Sequence, residues 1–232
     1  LFRHGIESSM AVIDNYGFVA DNSGSILCLN LKNMEILWNI DNYDDTDATI
    51  MIDEENLGEF FLYIGNEVDD RPSPDTSHFR KICAKTGEEI WRFNRVCYGS
   101  MLNGKVNSGG ILASPVLGKH KGKDLVFCIF ARSDKQNRSD LVAVNKYTGK
   151  EKYSIKLDAY SWSSPADFYD EDGNMYLFFT DVSGTIYMID ALTGEMLFKE
   201  STDFCFEASP VILNNNVIIA SRGTSVLCYE IK

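Results

Sequence analysis

One short phrase returns four times along this chain, and it restricts the fold more than any other feature. Its clearest copy is the tight turn Thr193-Gly194. An alternating run, Thr185-Ile186-Tyr187-Met188-Ile189-Asp190, precedes the turn, and an aromatic, Phe198, follows Thr193 by five residues. Thr148-Gly149 has Leu141-Val142-Ala143-Val144 before it and Tyr153 after it at the same distance. Thr86-Gly87 has Lys81-Ile82-Cys83-Ala84 before it and Trp91 after it. A degenerate copy at Lys32-Asn33 follows Ile26-Leu27-Cys28-Leu29 and leads to Trp38. Such self-similarity is the mark of a repeat architecture.

A second marker opens each unit, a pair of small residues: Ser8-Ser9, Ala48-Thr49, Ala113-Ser114, Ser163-Ser164 and Ala208-Ser209. The aromatic precedes the second member of the pair by 11 residues at Trp38–Thr49, Tyr153–Ser164 and Phe198–Ser209, and by 23 at Trp91–Ser114. The longer interval marks an insertion. Within a unit the sequence reads as four strands. A short strand follows the small pair, as in Val211-Ile212-Leu213. A very apolar second strand follows, as in Leu125 to Ala131 or Met175 to Thr180. The alternating third strand and the aromatic-bearing fourth complete the set. Asn, Asp, Gly and Ser turns join them, and no helix-period segment intervenes, so the strands pair as antiparallel hairpins. Four strands in roughly 40–50 residues make a propeller blade. The expected fold is an all-β propeller, one domain over residues 1–232. Its blades fall near 5–41, 47–96, 109–157, 160–201 and 204–232, the last completed by residues 1–4.

That completion rests on Leu1-Phe2-Arg3, which resembles Leu197-Phe198-Lys199, and on a last unit that stops after its third strand. A closed ring has no unpaired edges. The alternative is the C-terminal part of a seven- or eight-bladed propeller. Phe2, Trp38, Trp91, Tyr153 and Phe198 are then expected at equivalent fourth-strand sites, packed between blades. The segments Cys97–Gly110 and Glu67–His78, rich in turn formers or charge, are expected as exposed, mobile loops.

The run Thr185-Ile186-Tyr187-Met188-Ile189-Asp190-Ala191-Leu192-Thr193-Gly194-Glu195 resembles the repeat of the pyrroloquinoline-quinone-like (PQQ-like) propellers. Tyr153 and Phe198 depart from the Trp usual in that repeat. The resemblance implies a propeller of the quinoprotein type, whose members include alcohol dehydrogenases and exported propellers without enzymatic activity. It also implies an extracytoplasmic or cell-surface location, with the cytoplasm as the alternative. Quinoprotein dehydrogenases use a vicinal disulfide beside the quinone, and this chain has no adjacent cysteines, so no cofactor is expected.

Charge removes another class of partner. With 22 basic and 34 acidic residues the net charge is −12, which repels phosphate backbones and argues against nucleic acid. No run approaches the roughly 20 apolar residues that would span a bilayer, so direct membrane insertion is not expected.

Catalytic and metal motifs are sparse. His4, His78 and His120 lie in different units and read as solvated loop imidazoles. Cys28, Cys83 and Cys228 fall at equivalent third-strand positions, and with Cys128 they read as buried structural thiols. Cys97 and Cys205 are the one pair worth testing for a bridge, whereas six free thiols would point to a reducing cytosol or an anaerobic habitat. Ser108-Gly109-Gly110 precedes a strand and is a turn, not a phosphate loop. Asp41-Asn42-Tyr43-Asp44-Asp45-Thr46-Asp47 is rich in oxygen ligands but lacks the Gly and terminal Glu of an EF-hand, and reads as a solvated acidic loop.

Position gives the best candidate site. Glu7, Asp47, Leu112, Trp162 and Glu207 stand two residues before the second residue of each small pair, where innermost strands begin. In a propeller those points surround the channel mouth. Glu7, Asp47, Trp162 and Glu207 are therefore the expected ligand-binding set, suited to a cationic or peptide ligand. The expected function is non-catalytic: a binding or scaffolding propeller engaging a protein, a peptide or a surface glycan through its loops. The alternatives are a quinoprotein-like oxidoreductase or a hydrolase using the rim acids, and a sensor domain of a larger membrane-anchored protein.

Overall fold

The structure, a computed structural model, describes residues 5–69, 73–102 and 105–231. The chain divides into two compact units, Leu1–Pro115 and Val116–Lys232. The first unit begins with a four-stranded antiparallel sheet of β1 (Ala11–Ile13), β2 (Tyr16–Ala20), β3 (Ser25–Asn30) and β4 (Glu35–Asp41). Its second sheet starts with β5 (Met51–Asn56) and β6 (Glu59–Gly65), followed by the two-residue β7 (Glu67–Val68). β8 (Asp75–Cys83) and β9 (Glu89–Cys97) complete that sheet in the order β5-β6-β8-β9. β10 (Ser100–Leu102) and β11 (Lys105–Asn107) form a hairpin, and β12 (Gly109–Gly110) pairs with β7.

The second unit holds β13 (Val116–Leu117), β14 (Leu125–Phe130), β15 (Asp140–Asn145) and β16 (Glu151–Lys156) in one sheet. A second sheet comprises β17 (Ala166–Tyr169), β18 (Met175–Thr180), β19 (Thr185–Asp190) and β20 (Met196–Ser201). Among the described residues the last sheet has three strands, β21 (Val211–Leu213), β22 (Asn216–Ala220) and β23 (Val226–Glu230). Each is an up-and-down meander of the kind that forms a propeller blade. Phe2 and the completing segment 1–4 lie outside the described residues. No helix among those described is long and apolar enough to cross a membrane.

The repeated aromatic has a fixed structural address. Trp38 pairs with Cys28, Trp91 with Lys81, Tyr153 with Ala143 and Phe198 with Met188. In all four sheets the register shifts immediately after that pair, so one residue (Leu37, Ile90, Lys152 or Leu197) is bulged out before the aromatic. A bulge re-aims the side chain that follows it. Trp38 and Tyr153 thus leave their own sheets and lie on the next one. Trp38 donates its indole N–H to the Ala84 carbonyl at 3.1 Å, and Tyr153 donates its hydroxyl to the Ala191 carbonyl at 2.7 Å. Both carbonyls open a Thr-Gly turn. A Cβ on Gly87 would lie 3.1 Å from the Trp38 ring, and one on Gly194 would lie 2.8 Å from Tyr153. These glycines are left-handed, at φ +75° and +78°, and they are also the floor on which the ring rests.

The degenerate turn keeps this geometry without glycine. The amide of Met34 reaches Asn30 O at 2.7 Å, as Gly194 reaches Asp190 O and Gly149 reaches Asn145 O, both at 2.9 Å. The left-handed residue is Met34, at φ +60°, so the turn pivots at Asn33-Met34 and not at Lys32-Asn33. Side-chain carbonyls set these turns. Asp190 Oδ1 takes the amides of Leu192 and Thr193, and Asn145 Oδ1 those of Tyr147 and Thr148.

Second strands supply most of the core. All of Leu125–Phe130 is buried, as are Leu177, Phe178 and Phe179 of β18. In the second unit Phe178, Ile186, Phe206, Val217 and Ile219 form a buried cluster that joins its last two sheets.

Several expectations need correction. Only part of Glu67–His78 is exposed: Glu67 and Val68 are buried in the β7–β12 pair, Ser73 and Pro74 are exposed, His78 lies within β8, and residues 70–72 lie outside the described residues. His78 is a half-buried strand residue against Tyr43 and Asn94, and burial lowers its imidazole below the usual histidine value. The described part of Cys97–Gly110 is largely strand, with residues 103–104 outside it, and Cys97, Gly109 and Gly110 are buried. Cys83 lies past the bulge, so Lys81 holds the position equivalent to Cys28. Cys228 is exposed, Cys83 is partly exposed, and none of the six cysteines, Cys97 and Cys205 included, is in a disulfide. The loop 41–47 is not solvated, because Asn42, Asp44 and Thr46 are buried.

Two stability measurements follow. Gly194→Ala strains the left-handed turn and strikes Tyr153, and should cost about 2–4 kcal/mol in a denaturant melt, whereas Tyr153→Phe should cost about 1–2 kcal/mol. A Gly194→Ala variant as stable as the parent would remove the docking role. Met34→Gly relieves the one non-glycine pivot and should gain about 0.5–1 kcal/mol despite the added chain entropy.

Candidate functional site

The strand-entrance positions are held by one recurring backbone bond. Asn22 N donates to Gly5 O, Glu67 N to Asp45 O, Val182 N to Tyr160 O and Arg222 N to Cys205 O, at 2.7–3.0 Å. Each acceptor stands two residues before a predicted site residue: Glu7, Asp47, Trp162 or Glu207. The four side chains therefore occupy the same place in their own blades. The small pairs form a second belt. Ser9 N donates to Thr49 Oγ1, Thr49 N to Ser114 Oγ and Ser164 N to Ser209 Oγ. A hydroxyl in three of the pairs, Thr49, Ser114 and Ser209, is thus the acceptor for the preceding blade.

In the first unit this frame gathers five carboxylates. Oxygens of Glu7, Asp45 and Asp47 lie within 4.8 Å of one another, and so do those of Asp45, Glu67 and Asp69. Glu67 is 1% exposed, and its Oε1 accepts the Asp47 amide at 3.1 Å. Asp44 lies behind the cluster and spends its oxygens on the amides of Asp45 and Asp69. Asp47 Oδ1 is buried with no hydrogen-bond partner among the described residues. Its carboxylate neighbours Glu7 and Glu67 are acceptors too, so they bond to it only when a proton is shared. Burial, then a hydrogen bond with Glu7, raises the Asp47 carboxyl to about 6. Burial, followed by repulsion from Asp47, Asp45 and Asp69, holds Glu67 well above the usual carboxylate range.

The sequence marked Glu7 and Asp47 as entrance residues and Asp45 as part of an oxygen-rich loop, but gave no role to Glu67 or Asp69. The missing signal was the turn pair Asn66-Glu67, which matches Asp21-Asn22, Asp181-Val182 and Ser221-Arg222 after each second strand. Of the remaining predicted residues, Leu112 is buried. Glu207 is in the second unit, ion-paired with Arg222 at 2.7 Å, and Trp162, also there, is 38% exposed beside Tyr160.

The sequence matches no family model and no curated protein. Solved structures do resemble it. The quinohemoprotein alcohol dehydrogenase of Comamonas testosteroni superposes with a TM-score of 0.66 at 13% identity, over 98% of this chain and 42% of that one. A quinohemoprotein alcohol dehydrogenase of Pseudomonas putida HK5 gives 0.63 at 13% identity, over 98% and 40%. A europium-containing methanol dehydrogenase gives 0.59 at 12%, over 83% and 41%. The chain spans about two fifths of the length of these structures. At this identity the likeness establishes the fold, a β-propeller of four-stranded antiparallel blades.

The carboxylate cluster makes a pH prediction. Asp47 binds its proton more tightly folded, near 6, than at its ordinary 3.8, and Glu67 shifts the same way. Their contribution to stability is therefore fullest below pH 3.8 and is lost as pH rises through about 6. Glu67→Gln should melt higher than the parent at pH 7.5, with the difference shrinking as pH falls to 4.5. A pH-independent difference would show that the cluster stores no repulsion.

Proposed function

We propose that this chain is a non-catalytic binding propeller whose first unit holds a cationic group of a protein or peptide partner in the Glu7–Asp45–Asp47–Glu67–Asp69 cluster. One observation carries the reading. Asp47 Oδ1 is buried without a donor beside two other carboxylates, an arrangement that a bound cation would relieve. A lysine or guanidinium group supplies both the charge and the donors. Loop-borne recognition on a rigid blade frame fits the scaffolding role, and the resemblance to exported propellers supports an extracytoplasmic setting.

The likeness to quinohemoprotein alcohol dehydrogenases favours a second reading, an oxidoreductase. A quinone is what that likeness implies, and the cysteines test it. They stand at 28, 83, 97, 128, 205 and 228, none adjacent, so this chain supplies no vicinal disulfide for the ring. The residues present do not fit the group in that respect, and no step through it is derived.

Tri-lysine peptide separates the outcomes, with calcium chloride as a control. The peptide should raise the melting temperature of the parent at pH 7.5. At a concentration of ten times Kd the gain is about 1.4 kcal/mol. Asp47→Asn with Glu67→Gln should abolish the shift. A shift with calcium alone would move the reading to a metal site, and no shift with either would sink it.

A further inference from the structure

The joint between the first two sheets opens into a cleft at the end of the strands remote from the carboxylate cluster. β1 runs from the strand entrance to the turn Asp14-Asn15, and β8 runs down to the turn at Lys85-Thr86-Gly87. Between those two turns lies a cleft of about 560 Å³, within the range of small-molecule sites. Its floor is apolar. Phe18 and Trp38 meet there with ring centroids 5.9 Å apart, beside Cys28 and Phe60. Burial raises the Cys28 thiol, so it presents a neutral S–H. Tyr16 and Leu37, both exposed, stand at the mouth, and a Cβ on Gly58 would meet nothing within 4 Å.

The matching joint of the second unit is built from different chemistry. Leu125 stands where Tyr16 does, two residues before the second-strand Phe. Lys152 is bulged out where Leu37 is, and Leu192 precedes the Thr-Gly turn where Lys85 does. The space there is about 400 Å³ and is lined largely by charged side chains, among them Lys150, Glu151 and Lys152. In the first unit the same positions put an aromatic and an aliphatic group at the mouth and a single lysine on the second sheet. Two opposite charges therefore border the apolar floor, Asp14 on the first sheet and Lys85 on the second. Among the described residues neither of these side chains, nor the Tyr16 hydroxyl, makes a hydrogen bond or an ion pair.

We propose that this cleft binds a small aromatic zwitterion, an aromatic amino acid or a dipeptide that contains one. The ring of the ligand lies against Phe18 and Trp38, its carboxylate meets Lys85 and its ammonium meets Asp14. Aromatic rings pack favourably in offset or edge-on contact, and charge-assisted hydrogen bonds are stronger than neutral ones. A neutral aromatic would fill the floor and leave both charges unused. A carboxylic acid without an amine would face Asp14 uncompensated, on a chain of net charge −12. The zwitterion is the ligand that uses the floor and both charges. The cleft and the carboxylate cluster lie at opposite ends of the strands, so neither reading depends on the other.

Calorimetric titration with L-tryptophan and with the dipeptide Gly-Trp tests the site. Tryptamine, indole-3-propionate and L-alanine are the amine-only, carboxylate-only and ringless controls. The better of the two zwitterions should bind at least about tenfold tighter than each control. Lys85→Gln should weaken it about tenfold and leave tryptamine unchanged, whereas Asp14→Asn should weaken it as much without weakening indole-3-propionate. Asp14 and Lys85 are both exposed, so these variants keep the fold. Cys28→Met places on the floor the residue that Met188 supplies at the same register in the fourth-strand pair of β19, and should abolish binding, with a melting curve to confirm folding. Asp47→Asn with Glu67→Gln should leave the affinity unchanged, which separates the two sites. L-alanine binding as tightly as the zwitterions, indifference to both Lys85→Gln and Asp14→Asn, or no heat from either zwitterion at millimolar concentration would each overturn the proposal.

Discussion

The docking of Trp38 and Tyr153, each on the next blade's Thr-Gly turn, is the contact on which the frame of each unit depends. It is a compound constraint. The bulge before the aromatic re-aims the ring, the ring needs a left-handed residue without a Cβ beneath it, and its polar tip needs the carbonyl that opens the turn. Trp38 and Tyr153 meet all three conditions with different polar groups, an indole N–H and a phenol O–H. Substitution of Tyr for Trp in the repeat thus conserves the hydrogen bond as well as the bulk. Phe198 has no such donor, and it meets Tyr229 of the last sheet edge-on, with centroids 6.4 Å apart. A tyrosine or tryptophan tip satisfies a carbonyl that burial would otherwise leave orphaned, which is why those two residues suit this joint.

Once the blades are docked, the strand entrances lose their freedom. The bonds from Asn22, Glu67, Val182 and Arg222 fix the backbone two residues before each entrance side chain, whatever that side chain is. This separation of frame from function lets one position be Glu7, Asp47, Trp162 or Glu207 without altering the fold. It also explains how the first unit tolerates a carboxylate cluster that raises its members' proton affinity. Its repulsion is held by backbone bonds, among them the Asp47 amide to Glu67 Oε1 and the Asp69 amide to Asp44, that do not depend on the acids being neutral. Stored repulsion of this kind is common at functional sites, and structural networks also produce it.

The fold was legible because its markers are local. A turn that needs a left-handed residue, an aromatic at a fixed distance and a small hydroxyl pair are all written within a dozen residues. What failed were features set by pairing across longer stretches. Glu67 lies in a charged stretch that reads as loop, yet it is buried because β7 pairs with β12, a strand made only of Gly109 and Gly110. No period is visible in two residues. Cys83 looked equivalent to Cys28 by its distance from the turn, but the ladder puts Lys81 opposite Trp91. Met34 was hidden for a different reason. Its left-handed backbone belongs to a glycine, and only the hydrogen bond to Asn30 O reveals that it sits on the pivot. Of the candidate site, the positions were readable and the company they keep was not, because Glu67 and Asp69 reach Asp45 and Asp47 from a separate segment.

Departures from the repeat therefore carry more functional information than the repeat itself. Asp21 and Asp181 each hold their short turns through Oδ1, a task the frame assigns to that position. In the second sheet Asn66 stands there, its amide donating to Glu67 O and its Oδ1 taking the His78 amide, and the chain beyond it leaves the hairpin to build β7 and the carboxylate cluster. In the third sheet Phe130 stands there and stays in the ladder, so the hairpin grows and delivers Arg132 to Tyr160. One change of turn chemistry, made in two ways, yields an acidic recess in one unit and an arginine–aromatic contact in the other. Each is built by lengthening the same hairpin of the blade, which leaves the docking joint untouched.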